Sequence, residues 1–174
     1  EMNIGLINTI VIPSVSSKLR PYLPVGLVDN KSTITNACFA LFDAPLWNLS
    51  ILGSRLHRIW ISTVCGQLKT DFRYSNTLGW NTFPISTLTE KNKSDLNRCS
   101  EEILLARESY FPSTIAEMYD PSRIENEFPL LHNAHVRNDE VFERIYIGRC
   151  FKNDTERLEK LFELYLKKSL LLKN

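Results

Sequence analysis

The apolar residues change their spacing near residue 86, and that change restricts the chain to a fold with two unlike parts. Before it they come in short runs. Thr9-Ile10-Val11-Ile12 is β-branched and stops at Pro13, Tyr22–Val28 is apolar but broken by prolines, and Ile34–Phe42 is nearly continuous. Runs of this length suit strands. A proline confines its strand to an edge or an irregular position, and a near-continuous run predicts burial on both faces. Asp29-Asn30-Lys31-Ser32 is the polar turn between the last two. A helix is then expected from an N-cap at Asp43, with Pro45 in its first turn, to Cys65 before Gly66. Leu49, Leu52, Leu56, Ile59 and Thr63 form its core stripe, and Trp60 widens it.

After residue 86 the steps are of three and four residues behind capping signals. Thr87-Leu88-Thr89-Glu90 reads as a capping box for a helix whose apolar face is Leu96, Cys99, Ile103, Ala106 and Tyr110, ended by Pro112. Thr114-Ile115-Ala116-Glu117 caps a short helix that stops at Asp120-Pro121. A long helix is expected from about Phe128 to Tyr146, with Leu131, Ala134, Asn138, Val141, Phe142 and Ile145 inward. Asn153-Asp154-Thr155-Glu156 caps the last, whose face is Leu158, Leu161, Phe162, Tyr165 and Ser169. The expected class is therefore α+β: a small mixed strand/helix subdomain over 1–86, followed by a helical, bundle-like domain over 87–174.

Signals for chemistry are missing. The six glycines are isolated from one another, which excludes a phosphate-binding loop or a dinucleotide fingerprint. Asp120-Pro121-Ser122-Arg123 lacks the second proline and the aromatic of an amino-methyltransferase tetrapeptide and reads as a helix stop. No serine sits in a Gly-x-Ser-x-Gly elbow. His132 and His135 are three apart on an expected helix, but no cysteine pair or carboxylate joins them at a metal-ligand spacing, so packing or surface hydrogen bonding is the better reading and no metal is expected. A structural role is also expected for His57. Asp95, Glu101, Glu102 and Glu108 read as a solvated helix face. Cys38, Cys65 and Cys99 lie in apolar patterns as buried free thiols, and no CxxC pair occurs. No apolar run approaches the length needed to span a bilayer, no signal peptide is visible, and a reduced cytoplasmic setting is expected.

Charge is informative by position. The chain carries only +1 overall, but up to Ile85 it has seven Lys/Arg against four Asp/Glu, net +3, and afterwards 14 against 16, net −2. The densest mixture of basic, polar and aromatic side chains is Lys69 to Asn81. Lys and Arg neutralise phosphates, Ser, Asn and Tyr hydrogen-bond backbone oxygens or base edges, and Arg and Asn are the common bidentate readers of guanine and adenine. The candidate contacts to double-stranded DNA are Lys69, Arg73, Tyr74, Ser75, Asn76 and Asn81, with Arg55 and Arg58 on the preceding helix. The plain alternative is an ordinary turn whose aromatics Phe72, Tyr74 and Trp80 cap a core.

Three stretches here carry a family resemblance. Leu52–Trp60, Val64-Cys65-Gly66-Gln67-Leu68-Lys69-Thr70-Asp71-Phe72-Arg73-Tyr74-Ser75 and Trp80-Asn81-Thr82-Phe83-Pro84 closely resemble the end of the target-recognition domain of MmeI-type (YeeA-like) DNA methyltransferases. Arg20-Pro21-Tyr22-Leu23-Pro24-Val25-Gly26 looks like a strand of that domain. Met118-Tyr119-Asp120-Pro121, Leu131-His132-Asn133-Ala134-His135 and Glu156-Arg157 with Leu161–Tyr165 look like the family's helical C-terminal domain. The resemblance implies a non-catalytic fragment of an adenine-N6 methyltransferase that uses S-adenosylmethionine, in some members fused to a nuclease. Both catalytic domains would lie upstream, as would the cofactor site, and the run Glu1-Met2-Asn3 into an apolar stretch reads as an entry partway into the recognition domain. The implied partners are duplex DNA and the parent's methyltransferase domain. The alternative is a helical scaffolding module that holds those domains together.

Overall fold

The computed structural model describes residues 5–69 and 71–171. Glu1-Met2-Asn3 and Thr70 lie outside them. The elements in chain order are β1 (Asn8–Pro13), β2 (Val15–Ser17), β3 (Gly26–Asp29), β4 (Cys38–Phe42), α1 (Trp47–Leu52), α2 (Arg55–Val64), β5 (Gln67–Leu68), β6 (Asp71–Arg73), a π-helical turn (Asn76–Trp80), α3 (Glu90–Glu108), α4 (Ile115–Met118), α5 (Pro129–Ile147) and α6 (Asp154–Leu171). The class is α+β, as the two spacings predict.

Two three-stranded antiparallel sheets form, β3-β1-β4 and β2-β6-β5. Ser14 sits where the chain crosses between them. Its N–H donates to Ala37 O at 2.9 Å and its carbonyl accepts from Tyr74 N at 2.8 Å, so one residue ties both sheets. Of the three expected strands, the first forms as read. The second shrinks to β3, while Tyr22, Leu23 and Val25 before it are buried without joining the ladder. The third is only β4, whose first four residues are half-buried and whose last, Phe42, is exposed, because β4 is an edge strand of a sheet three strands wide.

The helix expected from Asp43 to Cys65 is two helices. Ser54 is extended (φ −80°, ψ 156°) and its Oγ accepts from His57 N at 3.1 Å, which caps α2 afresh. The stripe residues Leu49, Leu52, Leu56 and Ile59 are all at most 3% exposed, but Thr63 faces solvent. Asp43 is not a cap. It has φ 50°, and its carboxylate accepts from the N–H groups of Leu6 and Ile7 at 2.8 and 2.7 Å. The capping box before α3 falls two residues later than expected, on Thr89 with Asn92. Thr114 and Asn153 cap α4 and α6 as read, and α5 buries Leu131, Ala134, Asn138 and Phe142 as expected but Val141 and Ile145 only in part, with Gly148 at φ 74° closing it.

Burial centres on α1 and α2. One apolar cluster joins Ile10, Ile12, Tyr22, Leu23 and Val25 of the strand region to Leu49 and Leu52, and to Ile103, Met118, Tyr119 and Leu131. A second joins Ile51, Leu56, Trp60 and Phe83 to Leu96, Phe142, Tyr146 and Leu161. Each fully buried Leu or Ile contributes about 1.5–3 kcal/mol. Both clusters draw residues from before and after residue 86, so the strand region and the helices stabilise each other.

Most buried polar side chains within this core find partners, although Nδ1 of His57 and of His135 has none. Asn138 is fully buried, donates to Ser50 O at 2.9 Å and accepts from the Ser50 hydroxyl. Ser100 Oγ accepts from Ser50 N at 3.0 Å and donates to Leu46 O at 2.9 Å. His135 stacks on Tyr22 at 4.2 Å and shares a 2.7 Å hydrogen bond with Tyr119 Oη. Burial holds its imidazole neutral, well below the ordinary value. Asp120 accepts from Ser122 N at 2.9 Å in the turn after α4.

Candidate nucleic-acid interface

The stretch from Gln67 to Asn81 folds back on α2. Leu68 pairs with Asp71, which leaves a two-residue hairpin whose first residue, Lys69, has φ 57°. A left-handed conformation suits such hairpins but costs a non-glycine residue about 1–2 kcal/mol. The result is an ammonium group at an exposed tip.

Strand alternation divides β6 into two faces. Phe72 points inward, 7% exposed, and its ring lies under the Arg58 guanidinium at 5.7 Å. Asp71 and Arg73 point outward, next to Ser17 and Val15, their partners on β2. Arg73 is exposed, while its N–H is held by Gly66 O at 2.9 Å. Tyr74 then turns into the core and is 4% exposed. Its Oη shares a 3.1 Å hydrogen bond with His57 Nε2. Burial lowers His57 to about 3 and raises the Tyr74 phenol, so this pair stays neutral. Phe83 meets the His57 ring edge-on at 4.9 Å.

Ser75 caps the π-helical turn, its Oγ accepting from Leu78 N at 3.2 Å. Asn76 accepts from Thr77 N at 2.9 Å, and Asn76 and Asn81 are exposed at the two ends of that turn. The eight candidate residues therefore separate. Lys69, Arg73, Asn76 and Asn81 present side chains to solvent, and Ser75 is half-buried. Tyr74 is enclosed, as the plain reading of its aromatic neighbours held.

The two arginines of α2 are committed elsewhere. Arg55 pairs through two nitrogens with the Asp154 carboxylate at 3.1 and 3.2 Å, and its N–H donates to Asp139 at 2.8 Å. Arg58 donates to Arg20 O and Lys18 O, both at 2.6 Å. Shared spacing on one helix face reveals neither tie, because both partners are remote in sequence. The same clamp shows what spacing also misses: Lys18 is exposed beside this hairpin. The readable signal was a polar Ser-Lys before Arg-Pro; its position beside Lys69 comes only from strand register.

Pairing of charges differs along the chain. After residue 87, among the described residues, ten lysines and arginines lie within 3.8 Å of a carboxylate, and Arg107, Lys152 and Lys168 do not. Before it, among the described residues, Arg55 forms the one such pair, and Lys18, Lys31, Lys69 and Arg73 are exposed outside any. The surplus of positive charge before residue 86 is thus available at the surface.

Comparison with known proteins agrees with this arrangement. The family described as MmeI, target recognition domain, matches residues 3–87, and that described as MmeI, C-terminal domain, matches residues 88–172. DNA methyltransferase A of Bacillus subtilis (strain 168) is 42% identical over 157 residues, covering 90% of this chain and 17% of that protein. The Type IIL restriction-modification enzyme MmeI, solved in complex with DNA, superposes with a TM-score of 0.88 at 29% identity, over 96% of this chain and 22% of that one. The chain spans about a fifth of the length of these relatives. With two consecutive family matches from residue 3 to residue 172, it belongs to the MmeI-type DNA methyltransferases and corresponds to their target-recognition and C-terminal parts.

Proposed function

We propose that this chain is the sequence-recognition and support part of an S-adenosylmethionine-dependent DNA adenine-N6 methyltransferase of the restriction–modification type. Residues 1–86 contact duplex DNA, residues 87–174 support them, and neither performs chemistry. The methyltransferase domain that binds S-adenosylmethionine would be a partner elsewhere in the parent protein, which acts in the cytoplasm and in some arrangements carries a nuclease.

The observation that carries this reading is the pairing of charges. Among the described residues, ten of the cations after residue 87 are paired with carboxylates, whereas before it only Arg55 is, and Lys69 and Arg73 at the hairpin are exposed and outside any ion pair. Unpaired cations on a hairpin suit phosphate oxygens, and Asn76 and Asn81 beside them have the donor–acceptor pair that reads a base edge. Recognition by such a surface would present the target adenine to the methyltransferase domain, which must extrude it from the stack to reach N6. Arg55, Arg58 and Tyr74 act here through the fold. Arg55 ties α2 to α6, Arg58 braces a turn beside the hairpin, and Tyr74 anchors β6.

Titration of a duplex into the 174-residue chain over a salt series tests the reading. Log affinity falls linearly with log salt, and Arg73→Ala or Lys69→Ala lowers that slope by about 0.9 for each phosphate that is no longer neutralised. Affinity that ignores both substitutions overturns it. The scaffolding alternative retains one supporting feature for residues 87–174: Leu105, Phe111 and Leu130 are 64%, 86% and 57% exposed. It predicts no duplex affinity, and the same titration separates the two.

A further inference from the structure

The turn Ser17–Arg20 is braced by a side chain from a remote helix. Two of its N–H groups are satisfied internally, Leu19 N on Ser17 Oγ at 3.3 Å and Arg20 N on Ser17 O at 3.2 Å. Its carbonyls at Lys18 and Arg20 both accept from Arg58, at 2.6 Å each. That guanidinium is fixed in turn over the Phe72 ring. Burial opposes its charge and lowers its pKa, so a charged group has been withdrawn from the surface to set the backbone of an exposed turn. With two N–H groups and two carbonyls of the turn engaged, the side chains of Lys18 and Leu19 are left facing outward. Lys18 is exposed and forms no ion pair among the described residues, and Leu19 is 69% exposed.

Strand register places this turn. Ser17 and Leu68 are both partners of Asp71, on opposite sides of β6. The chain leaving Ser17 and the hairpin tip carrying Lys69 therefore emerge at the same end of the sheet, while Arg73 lies further along its outward face beside Val15. An exposed leucine flanked by an unpaired lysine on a braced turn matches the chemistry of a groove: a phosphate wall for the cation and base or sugar surface for the apolar group.

We propose that the Ser17–Arg20 turn is a second duplex-contacting element, in which Lys18 neutralises a phosphate, Leu19 makes apolar contact inside the groove, and Arg58 is the positioning residue. The proposal rests on the duplex-binding reading above. It adds a contact for which neither the spacing of residues nor the hairpin itself gives a sign.

The two side chains have different signatures in a fluorescence-anisotropy titration of the 174-residue chain with a B-form duplex. Lys18→Ala lowers the salt slope by about 0.9, which corresponds to about eight-fold weaker binding at 0.1 M salt and convergence with the parent near 1 M. Leu19→Ala weakens binding about five-fold at every salt concentration and leaves the slope unchanged. Both positions are solvent-facing, so the fold is retained and circular dichroism verifies it. If Arg73→Ala lowers the slope and Lys18→Ala does not, the turn is overturned as a phosphate contact and duplex binding by the hairpin stands. If neither lowers it, both readings fall. Equal affinity of Leu19→Ala and the parent at all salt concentrations overturns the groove contact.

Discussion

Acid should weaken this fold through His57, and the size of the effect follows from its burial. The imidazole is fully buried against Tyr74 and Phe83, and burial lowers it from the ordinary 6.5 to about 3. At pH 7.5 it is neutral in the folded and the unfolded chain and contributes no pH dependence. Below 6.5 the unfolded chain takes up a proton that the folded chain refuses until about pH 3. Stability present at neutral pH is therefore lost as the pH falls through that window. At pH 5 the unfolded chain has gained 1.5 pH units, and at 1.36 kcal/mol per unit the loss is about 2 kcal/mol. His135, also buried and lowered, pulls the same way. Asp139 opposes them, since burial raises its carboxyl to about 7 and the folded chain then holds a proton that the unfolded chain releases. A variant isolates the one residue. His57→Gln keeps a hydrogen-bonding group toward Tyr74 and removes the titration. In urea unfolding followed by tryptophan fluorescence at pH 7.5 and 5.0, the parent should lose about 2 kcal/mol more than the variant, about 1 M in midpoint for a slope near 2 kcal/mol per M. Equal losses in the two proteins would refute the assignment, whatever the stability of the variant at pH 7.5.

Asn138→Ala should be among the more damaging single changes in the helices. It strands the buried Ser50 hydroxyl and carbonyl and leaves a small void, for a loss of about 2–4 kcal/mol by urea unfolding; a loss below about 1 kcal/mol would show that the Ser50–Asn138–Ser100 network is not needed. Gly148→Ala tests conformation alone, because no atom lies within 4 Å of the added carbon while φ is +74°. The left-handed strain of about 1 kcal/mol should lower Tm by about 2–4 °C, and an unchanged Tm would mean that α5 can end another way.

The sequence was most legible where interactions are local. The capping groups at Thr114 and Asn153, the inward faces of α3 and α5 and the β-branched strand at Thr9–Ile12 each depend on residues a few positions apart, and each lies where it was expected. Where a partner is distant the reading failed. A continuous helix through Gly53-Ser54 fitted the apolar spacing, but Ser54 Oγ caps a new helix and donates to Ile51 O instead. Asp43 looked like a cap, but the N–H groups it serves come from residues 36 and 37 positions earlier.

For the candidate interface the division is sharper. Residue chemistry and charge by region selected Lys69–Asn81 and the basic half of the chain, and family resemblance supplied a use for them. Only the tertiary structure decided which of those side chains remain available. Tyr74 is withdrawn by strand alternation and by His57, Arg55 by an acid 99 positions away, and Arg58 by two carbonyls about 40 positions back. Lys18 comes to the hairpin because β2 pairs with β6 across more than 50 residues of chain. The physical reason is one of reach. Backbone preference and helical spacing act over a single turn, whereas the fate of a charged side chain depends on which remote group the packed core brings within about 3 Å of it.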